Sequence, residues 1–490
     1  MGLMRFIVTP PERLTDEMVG HAYLSGIDRL AWQVRARADG DQLVLERSVS
    51  DTGNLHVPWE VEGHGRPTLS TACLNEEFGP HHLPLELARG TVGQLRNQLA
   101  EWRVAGLDVA KKITEKEAEA TALLGRAATS QDRRVSGDLA QQALRAALDA
   151  ADLLTATYAD QAAAVRLRGG AKLPTVLGGD LGISLLDDRT AGQFPTCFNM
   201  AVMPLCWREV EATEGSYYWT VCDKQIEWCR SHNLKVCGGP LLKLDARSLP
   251  DWLFLWEGDF ENVLSFVSDF ITAAVQRYRG KVDLWVCSSR MNSADLLSLS
   301  EQEKLRLAAR SIELIRAADP DTPVVISFDQ PWAEYMSRRQ IDFPPLHFAD
   351  ALVRAGLGIS GLMLEINVGG APGGTLPRIP LELGRQVDHW SIFGLPLLVS
   401  FSAPSADGDD PSADRQTRHA SGIWTPQSQQ AWAARNVPLL LAKPYVEAIF
   451  WNQLRDAEPH DFPHAGLFDA DGNAKPALQT LASIRQTYLK

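Results

Sequence analysis

Short apolar runs of strand length recur along the last 310 residues of the chain, and helical stretches separate nearly all of them. Eight runs predict β-strands, at residues 181–185, 198–205, 235–242, 282–288, 323–328, 361–366, 396–401 and 447–451. Repeated βα units with buried, β-branched strands favour parallel pairing and right-handed crossovers. Eight such units predict an α/β protein with a closed (β/α)8 TIM barrel. The short connection after the first run indicates a degenerate first unit.

Residues 1–84 have a different pattern, in which apolar and polar residues alternate. Leu30 and Trp32 share one face of a predicted strand, and an Asp-Gly-Asp turn at 39–41 leads into another apolar run. This pattern is typical of a hairpin, and further runs extend it to a small antiparallel β module, a sheet or a sandwich. Trp32 and Trp59 are either exposed sugar-stacking residues or core residues, and the core interpretation is favoured.

Residues 85–170 are rich in Ala, Leu, Glu, Gln and Arg, with apolar residues at helical spacing. A polar break at 128–132 divides this region into two long helices, which predicts an antiparallel helical hairpin. The hairpin packs the β module onto the barrel or joins two copies of the chain. Gly169-Gly170 is a candidate linker. The predicted domains are therefore 1–84, 85–170 and the barrel at 171–490.

Composition narrows the classes of partner. Hydrophobic residues at 45% and charged residues at 22% are ordinary globular values. A net charge of −13 argues against general binding to nucleic acid or to an anionic membrane, whereas neutral sugars remain compatible.

No secretory signal is visible in residues 1–20 and no apolar run reaches a membrane span, which predicts a cytoplasmic protein. The seven cysteines have no zinc spacing, so we expect no metal and no cofactor.

Several segments of the barrel region resemble glycoside hydrolase family 10, the xylanase family of clan A. A Trp, Glu, Gly and aromatic pattern follows the second strand, a Leu-Pro-x-Trp segment follows the third, and the end of the chain is similar to the family's last strand and closing helix. The segments are 207–219, 249–252, 278–285, Trp451, 466–469 and 475–478. The resemblance covers about the last 310 residues and leaves the first 180 uncovered.

The chain departs from the family at the positions that carry its chemistry. The resemblance implies two glutamates, an acid/base at the end of the fourth strand and a nucleophile at the end of the seventh. The matching positions hold Arg290 and Phe401. Arginine does not give up its proton at any working pH, and phenylalanine can neither attack nor stabilise an oxocarbenium ion. The resemblance therefore implies a sugar site without the standard double displacement.

Other carboxylates lie at the predicted C-terminal ends of strands, where barrel chemistry is located. Glu365 interrupts a buried apolar run, which is costly unless the charge is paired, and Arg290 is a candidate partner. One hypothesis makes Glu365 a general acid or base, with Asp329 or Asp245 as the second carboxylate of an inverting pair. The other makes a Glu365–Arg290 ion pair purely structural.

Candidate sugar-binding residues complete the predicted site. Trp332, Trp424 and Trp451 can stack on sugar rings, and the family position that matches Trp451 lines the sugar site. Arg290 and Asn292 are the candidate polar contacts. The length of the loop 403–426 is typical of a functional cover or of a disordered segment. Its acidic cluster lacks the spacing of a known calcium loop, which favours a solvated surface.

The sequence thus predicts a carbohydrate-active, glycoside hydrolase-like protein with a non-standard carboxylate arrangement. The alternatives are a carbohydrate-binding pseudoenzyme and an assembly scaffold that forms a homo-oligomer through the hairpin.

Overall fold

The N-terminal β module consists of two small four-stranded sheets. The computed structural model describes residues 2–76, 79–168, 170, 172–341, 343–371, 373–414, 418–419 and 424–490. The elements are β1 (Gly2–Ile7), α1 (Asp16–His21), β2 (Tyr23–Ser25), β3 (Ala31–Trp32), β4 (Arg35–Asp39), β5 (Gln42–Arg47), β6 (Asn54–Pro58), β7 (Thr68–Ser70) and β8 (His81–His82). One sheet has the order β4-β5-β1-β8 and the other the order β3-β2-β6-β7.

The predicted hairpin is present as β4 and β5, with Asp39 paired to Gln42. Its first strand begins later than expected, because Trp32 ends β3, which belongs to the other sheet. Trp59 is buried, and its indole N–H donates to Gln141 on a neighbouring helix at 2.9 Å. Trp32 is half-buried beneath the guanidinium of Arg47. Both tryptophans therefore belong to the packed module.

Three helices follow the sheets, where the sequence predicts two. They are α2 (Leu83–Val104), α3 (Lys111–Thr129) and α4 (Arg133–Arg166). The additional break falls after Val104, where Gly106 adopts a φ of 96° that L side chains rarely tolerate. The predicted break is confirmed, since the Asp132 side chain caps α4 by accepting from the backbone N–H groups of Arg134 and Val135. Helices α3 and α4 form the predicted hairpin.

Eight parallel strands close into the predicted barrel, in the ring order β10-β11-β13-β15-β16-β18-β20-β9. The strands of this region are β9 (Val176–Asp180), β10 (Met200–Met203), β11 (Lys235–Gly238), β12 (Leu242–Lys243), β13 (Leu284–Val286), β14 (Ser288–Ser289), β15 (Val324–Asp329), β16 (Gly361–Asn367), β17 (Gly370–Ala371), β18 (Leu397–Ser402), β19 (Arg418–His419) and β20 (Val446–Trp451). The helices are α5 (Asp188–Cys197), α6 (Trp207–Val210), α7 (Thr220–Ser231), α8 (Phe260–Tyr278), α9 (Glu301–Ala318), α10 (Pro345–Arg354), α11 (Pro380–Trp390), α12 (Pro426–Leu441) and α13 (Pro476–Tyr488).

The predicted first strand, 181–185, is wrong, because β9 lies five residues earlier. A Cβ atom added to Gly178 would lie 2.5 Å from the ring of Phe450, and one added to Gly179 would lie 2.8 Å from the ring of Phe198. The two glycines therefore make room for aromatic rings inside a strand, although a Gly-Gly-Asp sequence is typical of a turn. The shift leaves room for α5, so the first unit is complete and not degenerate.

Apolar side chains fill the lower part of the barrel interior. They include Val202, Cys237, Met363, Leu398 and Phe450, which form one packed cluster. Since side chains alternate along a strand, residues two positions further on also point inward and lie nearer the C-terminal mouth. This alternation places Glu365 two residues above Met363 and Ser400 two residues above Leu398.

The N-terminal modules pack against the barrel. Helix α4 contacts α11 and α12, and Arg166 at its end donates to the backbone carbonyls of Leu441 and Lys443. Within the described ranges, no helix is both long and apolar enough to cross a membrane. Gly169 of the predicted linker lies outside the described residues, as do 415–417 and 420–423 of the loop 403–426.

Candidate functional site

A cavity of about 380 Å³ opens at the C-terminal end of the barrel. Its walls come from the ends of β9, β10, β11, β16, β18 and β20 and from the loop that follows β20. The ionisable and aromatic side chains on these walls include Asp180, Lys243, Glu365, Trp451, His460 and Asp461. Of the three predicted catalytic carboxylates, only Glu365 lines the cavity.

Glu365 is held by hydroxyl groups and not by a cation. Its Oε1 accepts hydrogen bonds from Ser289 and from Ser327, the latter at 2.6 Å. The residue is 7% exposed, at the cavity wall. The predicted Glu365–Arg290 ion pair is wrong, since the ion pairs of Arg290 within the described chain go to two other carboxylates.

Arg290 belongs to a half-buried network of four charged groups. Its backbone has a φ of 62°, and its guanidinium donates to Asp245 at 3.1 Å and to Asp461 at 2.7 Å. Lys243 bridges the same two carboxylates, at 3.0 Å from Asp245 and 2.7 Å from Asp461. Two cations and two carboxylates therefore balance one another. Arg290 is not among the cavity-lining residues.

The network holds its members ionised. Burial alone would lower the pKa of Arg290, but Asp461 and Asp245 outweigh it and the pKa is raised. Burial alone would raise the pKa values of Asp245 and Asp461, but Lys243 and Arg290 outweigh it and hold both values below the usual range. A carboxylate held ionised in this way is a poor proton donor, which argues against Asp245 as a general acid.

Asp329 lies beside the site and outside the cavity. Its Oδ2 accepts from Ser293 at 3.0 Å and from Gln330 at 3.2 Å. Burial raises the pKa of Asp329 and Glu365 adds to the increase, whereas Arg290 opposes it. The side-chain amide of Asn292 is bonded to the Asp329 backbone: it donates to the Asp329 carbonyl and accepts from the Asp329 N–H.

The three candidate tryptophans occupy different places. Trp451 lines the cavity at 1% exposure, with its indole N–H bonded to the Ala465 carbonyl and its ring edge-on to Phe401 at 5.3 Å. Trp332 is buried beneath the guanidinium of Arg378, 4.7 Å from the ring centre. Trp424 is half-buried, outside the residues that line the cavity. Only Trp451 is positioned to contact a molecule in the cavity.

Asp180 is a cavity residue that the sequence analysis missed. It ends β9, and its Oδ1 accepts the N–H of Gly182 at 2.7 Å. Burial raises the pKa of Asp180 to about 7; Glu458 adds to the increase, while the Gly182 N–H, Lys243 and Arg455 oppose it. The predicted strand began at Leu181 and so placed Asp180 before the strand. The Gly-Gly-Asp run, taken as the end of a strand, is the signal that could have identified it.

A group of potential metal ligands lies next to the cavity but is already bonded internally. Asp410, Asp456 and His460 have ligand atoms within 4.8 Å of one another. However, Lys475 forms an ion pair with Asp456, and His460 bonds to Asp410 at 2.9 Å. Because an ammonium group already occupies this cluster, the residues present do not fit a cation.

Comparison with known proteins relates part of the barrel to one family. Residues 196–295 match the model of glycosyl hydrolase family 10. This segment contains three of the motif segments that resemble the family, at 207–219, 249–252 and 278–285, and it contains Arg290. The resemblance to family 10 is confirmed over this part of the chain.

One curated relative and several solved structures are also similar. Endo-1,4-beta-xylanase C of Paenibacillus barcinonensis is 30% identical over 82 residues, which are 16% of this chain and 7% of that protein. The match therefore spans a small part of the relative. Native xylanase 10B from Thermotoga maritima aligns with a TM-score of 0.48 at 16% identity, over 64% of this chain and 95% of that one. The family 10 structure from Paenibacillus barcinonensis aligns with a TM-score of 0.46 at 18% identity, over 64% and 96%.

Proposed function

We propose that this chain is a carbohydrate-active protein and that its sugar ligand occupies the cavity at the barrel mouth. The location supports this proposal, because ligands of such barrels bind at the C-terminal face. The size supports it as well, since about 380 Å³ falls within the range of roughly 300 to 1,000 Å³ that small-molecule sites occupy.

The observation that carries the proposal is that the cavity wall combines polar and apolar side chains. The barrel around this cavity matches family 10 over part of its length. Sugars need hydrogen-bonding groups for their hydroxyls and an apolar surface for their C–H faces. The wall offers Glu365, Lys243 and Asn452 for the first purpose, and Trp451 and Phe450 for the second. The curated relative is an endo-1,4-beta-xylanase, so β-1,4-linked xylo-oligosaccharides are the first ligands to test.

The proposal does not include the family's standard double displacement. Arg290 stands at the position that matches the acid/base and is bound within its charge network. The sequence analysis matches Phe401 to the nucleophile, but its side chain packs between Trp432 and Trp451, and the residue of β18 that lines the cavity is Ser400. None of these three residues can supply a carboxylate. Hydrolysis, if the protein performs it, needs other groups; binding alone would make it a pseudoenzyme.

Calorimetric titration with neutral oligosaccharides tests this function. The panel contains xylo-, cello- and manno-oligosaccharides of two to six units, and we expect at least one series to bind. Hydrogen exchange on the complex then locates the ligand, with added protection expected at 239–248 and 450–462, two segments that contain many of the cavity-lining residues. No binding across the panel would overturn the proposal. Protection confined to the N-terminal β module would overturn it too.

A further inference from the structure

We propose that Asp180 and Glu365 are the general acid and general base of an inverting glycosidase site in the mouth cavity. This inference rests on the proposed carbohydrate binding and assigns the chemistry of the same cavity. It places the reaction away from the fourth and seventh strand ends that the family resemblance implies.

The barrel topology places the two carboxyl groups on different sides of one cavity. Asp180 ends β9 and Glu365 lies near the end of β16, and both line the cavity wall. In the strand ring, β18 and β20 separate β16 from β9. An inverting pair needs about 6.5 to 9.5 Å between its carboxyl groups, so that a water molecule fits, whereas a retaining pair needs about 5 to 5.5 Å. Non-adjacent strands favour the wider arrangement.

Asp180 has the surroundings of a proton donor. Burial is the main cause of its raised pKa of about 7, so much of the group is protonated near neutral pH. The charged groups that act on it are Glu458, which raises the pKa, and Lys243 and Arg455, which lower it. Arg455 is itself paired with Glu458, so its effect on Asp180 is partly neutralised.

Hydrogen bonds hold Glu365 in one orientation, as a general base requires. Two serine hydroxyls donate to its Oε1 and set the orientation of the carboxylate. No hydrogen bond to its Oε2 is present within the described part of the chain, so that oxygen can accept a proton from water. Ser289 and Ser327 are therefore positioning residues for Glu365.

The proposed reaction consumes one water molecule per bond cleaved. The Asp180 carboxyl group donates its proton to the glycosidic oxygen as the bond from that oxygen to the anomeric carbon breaks. Glu365 accepts a proton from a water molecule as the water oxygen attacks the anomeric carbon from the opposite face. The products are an alcohol and a hemiacetal of inverted configuration. Asp180 is left ionised and Glu365 protonated, and exchange with solvent restores both.

Kinetics on the 490-residue chain test the pair through Asp180→Asn and Glu365→Gln, two nearly isosteric changes. The control is Asp283→Asn, an exposed carboxylate just before β13 at the opposite end of the barrel. We expect each cavity variant to lose roughly 100-fold to 10,000-fold in turnover of the oligosaccharide that binds, as for other general acids and bases. The control should retain full turnover. Thermal unfolding confirms that all three variants fold.

A second substrate separates proton donation from a structural role. A 2,4-dinitrophenyl glycoside of the same sugar needs no protonation of its leaving group. Asp180→Asn should therefore lose much less activity on it than on the oligosaccharide, while Glu365→Gln should lose activity on both. Proton NMR of the first product should show the inverted anomer.

The outcomes distinguish this inference from the proposed function. Binding by the unmodified protein without turnover would overturn the inference and leave the proposed function standing. Turnover that survives within tenfold in either cavity variant, or a retained anomer, would overturn the inference as well. Absence of both binding and turnover would overturn both proposals.

Discussion

At the residue scale, Arg290 lies at the strand end where the family resemblance implies an acid/base, but it forms ion pairs in a charge network. The sequence places it at the end of the fourth strand, but does not reveal its partners. Asp461 lies 171 positions further along the chain, and the Arg290 guanidinium donates to it, from a backbone with a φ of 62°. Glu365 could be predicted as a cavity residue, because a charge within a buried run indicates a special environment.

Replacing Arg290 should destabilise the protein strongly. Arg290→Gln leaves two half-buried carboxylates with Lys243 as their only cation in the network, which should lower the free energy of unfolding by about 3 kcal/mol, the lower end for a broken buried pair. Arg306→Gln is the matched control, because its ion pair with Glu261 is exposed and worth about 0 to 1 kcal/mol. Urea denaturation measures both changes, and equal effects of the two substitutions would contradict the network.

Replacing Asp180 should stabilise the protein in a pH-dependent manner. The pKa of Asp180 is about 7 in the folded chain and roughly 3.9 in an unfolded one. Between these values the folded state retains a proton that the unfolded state has lost, so ionisation of Asp180 lowers stability as pH rises. Asp180→Asn removes this loss. The variant should therefore melt above the unmodified protein at pH 8 and close to it at pH 3.5, and a gain of equal size at both pH values would exclude the raised pKa.

At the element scale, strand β9 is the one barrel strand that the hydrophobic pattern misplaced. The other seven barrel strands were predicted to within a few residues, because each is an apolar run of strand length that helical stretches separate from the next. The β9 strand was misplaced because its glycines leave space that Phe450 and Phe198 fill from elsewhere in the chain. The extra helix break at Gly106 was missed for a similar reason, since one glycine within a helical pattern does not by itself indicate an end.

A methyl group on β9 should disturb the barrel and the site together. Gly178→Ala places a Cβ 2.5 Å from the buried Phe450 ring, and such overpacking should lower the free energy of unfolding by about 1 to 3 kcal/mol. It should also reduce turnover or ligand binding, since Asp180 lies two residues away. Gly192→Ala is the control, because it has open space within α5 and should be neutral or slightly stabilising. Calorimetric melting of both variants checks the difference.

The N-terminal modules and the barrel share buried polar contacts at the scale of the whole molecule. Arg378, in the loop after β16, donates to the Tyr23 hydroxyl at 2.7 Å and forms an ion pair with Glu334 after β15. The Thr68 N–H donates to the Pro377 carbonyl at 2.7 Å. The β module is thus anchored to loops that follow the strands of Asp329 and Glu365. The oligomer expected through the hairpin stays a prediction.

These contacts should make the protein unfold as one unit. Scanning calorimetry of the full chain should give a single transition, because separating the modules would expose the apolar junction between α4 and the helices α11 and α12. A chain that lacks residues 1–170 should melt at a lower temperature and aggregate more readily. Two well-resolved transitions in the full chain would indicate independent domains instead.

A crystal structure of Glu365→Gln bound to the oligosaccharide with the highest affinity tests the central claim most directly. Our account predicts sugar density in the mouth cavity, with a glycosidic oxygen within hydrogen-bonding distance of the Asp180 carboxyl group and a sugar ring against Trp451. Sugar bound outside the mouth cavity, or within it and away from Asp180, would contradict it, as would sugar on the N-terminal β module alone.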